Sequence, residues 1–278
     1  MAGLPPPESS GGSPPWPRMR ERCTTSMCHS ADMSPGRLVS ALRSPLHSVS
    51  DVWRRDHPWA AVYDFIVERE LLAQVAWRVG MGSDVRLLYA AAAEIGRLPD
   101  GATVLDVPCG GGVALRGLHP EQRLRYVAVD ISPAMLERTA AHVADHELAG
   151  VNCLQADVEH LPFEDHAVDL CVCFTGLHCF PDPESAVHEI ARVLRPGGVL
   201  TGSAFLNDTG RRYDGVRRIG RASHLLGGSA TGTELRSWLA EAGFVEATLR
   251  PSGALVYFRA VRSLGSSRPG STEAPHLQ

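Results

Sequence analysis

No lysine occurs anywhere in the 278 residues, so all 27 cationic side chains are arginine. This matches the bias of a GC-rich genome and removes arginine richness as a targeting signal. A basic excess is missing as well: the formal charge is -4 and the pI about 6.3. A general nucleic-acid binder needs a basic surface to displace counterions from phosphates, so nucleic acid is not an expected partner. No uninterrupted apolar run approaches the ~18 residues of a membrane span, and the N-terminus lacks the apolar core of a signal peptide. The chain is expected to be cytoplasmic, without stable membrane insertion. The seven cysteines are odd in number and several fall inside apolar runs, which fits reduced, buried thiols rather than a disulfide framework. Cys23, Cys28 and His29 have no second ligand pair at finger-like spacing, so no metal site is assigned.

Residues 1–50 hold eight Pro, four Gly and ten Ser with no sustained apolar period. Such a stretch cannot offset its ordering entropy, and a disordered tail is expected over 1–52. From His57 the pattern changes. Ala61, Phe65, Leu72, Val75, Ala76 and Val79 fall near helical spacing and predict an amphipathic helix packed beside a sheet, followed by a helix from Val85 to Gly96. Beyond residue 100, strands and helices alternate. Strands are predicted at Thr103 to Val107, Leu124 to Val129, Val151 to Ala156, Val168 to Phe174 and Val199 to Phe205, with helices between. That order implies a parallel sheet with right-handed crossovers. An irregular region from Asn207 to Gly232 and a helix from Thr233 to Ala242 follow. The last two strands, Phe244 to Arg250 and Leu255 to Val261, are joined too closely for a crossover and must pair antiparallel. One α/β domain is expected over 53–262, with a second disordered tail over 263–278.

Three acids close three successive strands: Asp106, Asp130 and Asp157. In an open α/β sheet, ligands bind beyond the carboxyl ends of the strands. Asp130, 24 residues after Asp106, is placed to accept both hydroxyls of a ribose. The turn Cys109-Gly110-Gly111-Gly112 removes side chains where backbone must approach a ligand. An acid directly before that turn is poorly placed for a pyrophosphate and better suited to a cationic ligand, which disfavours an NAD-dependent oxidoreductase. His178 could serve as a general base, since imidazole titrates near neutrality, or could only shape a pocket. Arg211, Arg212, Arg217, Arg218 and Arg221, set against Asp208 and Asp214, read as a solvated basic helix or as a contact for an acidic acceptor or anionic membrane.

These residues resemble the class I S-adenosylmethionine-dependent methyltransferases, in particular the small-molecule branch that includes the ubiquinone and menaquinone biosynthesis enzymes. Asp106-Val-Pro108-Cys-Gly110-Gly-Gly112 is similar to the family's first motif with proline for its first glycine, and VDISPAML, QADVEHLPFEDHAVD and EIARVLRPGGVL follow in the family's order. The resemblance implies a Rossmann-like three-layer α/β sandwich, with a seven-stranded, mostly parallel sheet in the order 3-2-1-4-5-7-6 and a C-terminal antiparallel strand. It implies S-adenosyl-L-methionine as cofactor and a small-molecule methyl acceptor. By the same resemblance Gly110 and Gly112 lie along the methionine moiety and Asp106 orders its amino end through water or backbone. Asp130 binds the ribose diol, Ile131 packs on the adenine, and Asp157 accepts from the adenine amino group beside Val158. Phe174, Thr175 and His178 line the opening toward the acceptor, and Tyr63 covers the cofactor. Pro108 removes a backbone donor and restricts φ, so the turn is expected to approach methionine less closely. A non-catalytic cofactor-binding protein is the remaining alternative.

Overall fold

The computed structural model describes residues 74–75, 77–222, 226–227 and 230–264. The expected tails over 1–52 and from 265 onward, and most of the helix expected from His57, lie outside the described residues. The first described element is a five-residue π-helical turn, Trp77–Met81. Its buried anchor is Trp77, whereas Val75 and Val79 are exposed, contrary to the apolar spacing read from the sequence. Helix α1 (Arg86–Ala92) follows and tightens into a 3-10 turn at Ile95–Arg97, so the expected single helix is two pieces.

Seven strands form one sheet: β1 (Thr103–Asp106), β2 (Arg125–Asp130), β3 (Val151–Gln155), β4 (Val168–Phe174), β5 (Leu194–Phe205), β6 (Phe244–Ser252) and β7 (Leu255–Arg262). The order is β3-β2-β1-β4-β5-β7-β6, as expected from the resemblance. β1 to β5 pair parallel, and β7 runs antiparallel to both β5 and β6. The apolar run of β4 is buried at Val168 and from Leu170 to Phe174, as a central strand covered on both faces requires. β5 starts earlier than the sequence suggests, because Leu194 pairs with Val168 before the register shifts across Arg195-Pro196-Gly197-Gly198.

The helices begin where local chemistry can satisfy their free N–H groups. Ser132 caps α2 (Pro133–Asp145), Asp182 caps α3 (Pro183–Val193), and both have proline at the first turn, where no N–H is lost. Between β5 and β6 the chain forms a 3-10 turn (Arg211–Tyr213) and two helices, α4 (Asp214–Ala222) and α5 (Gly232–Glu241). Thr231 and Glu234 make a reciprocal capping box at the start of α5. The region expected to be irregular is therefore partly helical.

Two apolar clusters cover the two faces of the sheet. One gathers Leu105, Val127, Val129, Phe163, Ile190 and Leu235; the other gathers Leu88, Ile95, Val104, Tyr126, Leu170 and Leu255. Packing at the sheet centre is close: a Cβ on Gly202 would lie 2.2 Å from the Cys173 carbonyl oxygen. Burying each large aliphatic side chain contributes roughly 1.5–3 kcal/mol, which holds the carboxyl ends of β1, β2, β3 and β4 level.

Candidate functional site

The turn after β1 is suspended between its neighbours. Val107 donates its N–H to the Val172 carbonyl of β4 at 3.0 Å, and Cys109 donates to Val129 of β2 at 2.8 Å. Gly110 and Gly112 both take left-handed backbone, with φ of +51 and +88. A Cβ on Gly112 would come within 2.9 Å of Leu115, while one on Gly110 would meet nothing within 4 Å. The turn is thus packed at Gly112 and open at Gly110, a backbone surface on which a ligand has room to lie. Both polar groups of Gly110 are held: its N–H donates to Asp130 Oδ2 at 3.0 Å, and its carbonyl accepts from Thr139 Oγ1 at 2.7 Å.

Asp130 ends β2 with its carboxylate beside this turn, and its Oδ1 accepts from the Ser132 N–H at 2.9 Å. Burial raises its pKa, and the N–H groups of Ser132, Gly110 and Ile131 oppose that rise. A carboxylate offers about four lone-pair sites, so these three N–H groups leave acceptor capacity for a ligand hydroxyl. Asp157 is half-buried at the end of β3 and caps the 3-10 turn Val158–His160 by accepting from the Glu159 N–H at 3.1 Å. Ile131, directly after Asp130, is half-buried, and Val158, directly after Asp157, is buried.

Asp106 differs from the expectation. The sequence places it facing the crevice with Asp130 and Asp157, but it is 1% exposed and accepts from the Tyr126 hydroxyl at 2.7 Å. Burial pushes its carboxyl up to about 8; the Tyr126 hydrogen bond acts against this and the nearby Asp130 charge with it. That burial fits the indirect route, through water or backbone, that the resemblance implies. The Val107–Pro108 peptide is cis. Pro108 meets the loop after β4, where a Cβ on Gly176 would fall 2.2 Å from the Pro108 Cδ, so the loops after β1 and β4 touch.

Phe174 is buried at the end of β4, and Thr175 turns the chain with φ +51 while donating its N–H to the Ser203 carbonyl at 2.8 Å. His178 is 7% exposed, sits edge-on to the Phe205 ring, and accepts from the Phe205 N–H through Nδ1 at 3.2 Å. An imidazole accepting at Nδ1 carries its proton on Nε2. Burial also draws its pKa down to about 3. His178 is therefore a weak base with Nδ1 engaged, which favours the other of its two readings, a residue that shapes the pocket. It lines a small pocket with Phe205, Leu206, Asn207, Arg217 and Arg221. Arg217 departs from the solvated helix expected there: it is 3% exposed and donates to the carbonyls of Leu206 and Gly210, to Thr209 Oγ1 and to Asp214. Tyr63 lies outside the described residues.

Sequence reasoning missed Thr139 and Tyr126. Thr139 is one polar residue in a helix whose neighbours give no sign that it reaches the turn. Tyr126 was legible in principle, since it opposes Val104 in the sheet and so stands diagonal to Asp106.

Residues 105–201 match the family model described as methyltransferase domain. Over 104 residues the chain is 35% identical to the phthiotriol/phenolphthiotriol dimycocerosates methyltransferase of Mycobacterium leprae, covering 36% of each chain. The chain spans about a third of the length of the curated relatives it matches. Among solved structures, the Haemonchus contortus phosphoethanolamine N-methyltransferase 2 in complex with S-adenosyl-L-methionine shares the fold at a TM-score of 0.64 and 15% identity, covering 79% of this chain and 61% of that one. The [4+2]-cyclase SpnF shares it at 0.53 and 18% identity, covering 64% of this chain and 80% of that one. Residues 105–201 thus match a methyltransferase domain, and the strand order is that of the Rossmann-like fold these solved structures share.

Proposed function

We propose that the chain transfers the methyl group of S-adenosyl-L-methionine to a small, apolar acceptor, acting as a cytoplasmic enzyme through a domain over 53–262. The observation that carries this reading is the open backbone at Gly110 beside the Asp130 carboxylate. A side-chain-free surface next to a hydroxyl acceptor fits a nucleoside attached to a methionine. Asp130 would accept from the ribose hydroxyls and Asp157 from the adenine amino group, with the ring between Ile131 and Val158. Gly110 and Gly112 would follow the methionine moiety, and Phe174 would stand toward the acceptor. Among the described residues, no helix is long and apolar enough to cross a membrane.

When bound, the cofactor supplies an electrophilic methyl group on a cationic sulfur. This chain's contribution is to hold donor and acceptor in line and to keep water out, which suits a transition state that disperses charge. His178, Phe205 and Leu206, which line one small pocket, and Phe174 at the end of β4 would provide apolar and weakly polar walls for that purpose. His178 acts in this reading by positioning Phe205 rather than by taking a proton. The Mycobacterium leprae relative is named for phthiotriol and phenolphthiotriol dimycocerosates, and that name supports an apolar substrate here.

The same fold in a [4+2]-cyclase favours one other reading, a protein that keeps the fold for chemistry other than methyl transfer. A labelled-cofactor screen in extract of the native organism, with mass spectrometry of species that gain a methyl group, tests the proposal. Methylated product is the expected result. Cofactor binding without any methylated species would move the chain to the second reading.

A further inference from the structure

The nine-residue helix α4 is inverted relative to an ordinary surface helix. A surface helix turns its apolar residues to the core and its charges to water. In α4 the inward positions are Arg217 and Gly220, whereas Val216 is 36% exposed and Ile219 71% exposed. Arg217 makes this arrangement stable, because its guanidinium spends its donors on Leu206, Thr209, Gly210 and Asp214. A buried cation so paired clamps the helix to the loop after β5 and leaves the aliphatic side chains outside.

The exposed face is also basic. Arg211, Arg212, Arg218 and Arg221 are exposed on the helix or the turn that leads into it. Against them stand the exposed acids Asp208 and Asp214, the second already ion-paired to Arg217. Aliphatic residues flanked by arginines, on a chain of net charge -4, form a local surface of opposite sign to the whole. Arg221, on this face, also lines the small pocket that contains His178.

We propose that α4 is a docking surface for an anionic lipid bilayer, with Val216 and Ile219 entering the headgroup region and the surrounding arginines meeting lipid phosphates. Interfacial helices combine these same features, an apolar strip and a cationic border. A symmetric contact between two copies would set four arginines against four, and repulsion opposes it. A bilayer needs no shape complementarity to accept two aliphatic side chains. The inference does not depend on methyl transfer, since vesicle binding is read without cofactor or acceptor.

The test is flotation of the full chain with vesicles of phosphatidylcholine alone and of equal parts phosphatidylcholine and phosphatidylglycerol. Binding is expected to the anionic vesicles only, and to fall as salt is raised to about 0.5 M, where charges are screened within a few ångströms. Arg218→Ala is expected to weaken binding about fivefold. Ile219→Asp is expected to abolish it, with circular dichroism confirming that both variants fold. Failure to bind anionic vesicles, equal binding to both kinds, or binding that neither substitution weakens would overturn the proposal. Self-association of the chain that Ile219→Asp removes would assign the face to a second copy instead. The salt and vesicle comparisons on the unaltered chain decide the matter even if a variant fails to fold.

Discussion

The Gly110 N–H donates to Asp130 Oδ2 at 3.0 Å, so the acid at the end of β2 is a structural partner of the glycine turn as well as a candidate ligand group. The two roles share one carboxylate. A change at Asp130 therefore reaches the cofactor site twice, through the lost acceptor and through the loosened turn.

Asp130→Ala should weaken S-adenosylmethionine binding by about 1.5–3 kcal/mol, the range for hydrogen bonds to charged groups. Isothermal calorimetry reads the affinity, and thermal unfolding of the free protein reads the turn. Unchanged affinity would remove the ribose assignment.

Thr139 holds the other side of Gly110, with its hydroxyl donating to the carbonyl at 2.7 Å inside a buried helix face. Thr139→Val keeps the shape and removes the bond, and should cost about 1 kcal/mol in chemical denaturation. Thr139→Ser should restore most of that stability and the cofactor affinity with it. If valine and serine behave alike, the hydroxyl is not holding the turn.

The carboxyl of Asp106 is pushed up to about 8 in the folded protein, against 3.8 for the ordinary group. Between those values the folded state keeps a proton that the unfolded state releases. Its contribution to stability is therefore greatest below about pH 4, declines as pH rises, and is flat above about 8. Asp106→Asn retains an acceptor for Tyr126 without this titration. Its stability relative to the natural protein should rise steadily from pH 4 to 8 in denaturation curves. Parallel curves across that window would show that Asp106 ionises normally.

His178 has the opposite sign. Burial lowers its pKa from 6.5 to about 3, so the unfolded state binds the extra proton between those values. Stability from this group is full above about 6.5 and is lost as pH falls toward 3. His178→Gln should destabilise the protein at neutral pH by about 1 kcal/mol, through the bond to Phe205, and that penalty should shrink on acidification. A methyl-transfer rate in His178→Gln that loses an alkaline plateau seen in the natural protein would reinstate the histidine as a base.

Much of the architecture was legible because its signals are local. Alternating apolar runs, Ser132-Pro133 and Asp182-Pro183 starts, and a short link before β7 each depend on residues close in the chain. These signals, with the family resemblance, led to the strand order and to the glycine turn between β1 and β2. The site was legible only as a set of strand ends. Asp130 and Asp157 stand at the ends of adjacent strands as expected, while Asp106 is engaged by Tyr126 and His178 by the Phe205 amide.

What the amino-acid sequence determined by itself is the order of strands and helices and the positions of acids and glycines along it, since these follow from periodicity, capping and backbone freedom. Only the tertiary structure decided which polar groups are spent. Tyr126 occupies Asp106 and the Phe205 amide occupies His178, each across the fold, and four partners from the preceding loop and helix start occupy Arg217. The physical reason is desolvation. Burial shifts an acid up, a histidine down and an arginine into full hydrogen bonding, and burial is set by what packs above a residue rather than by what precedes it.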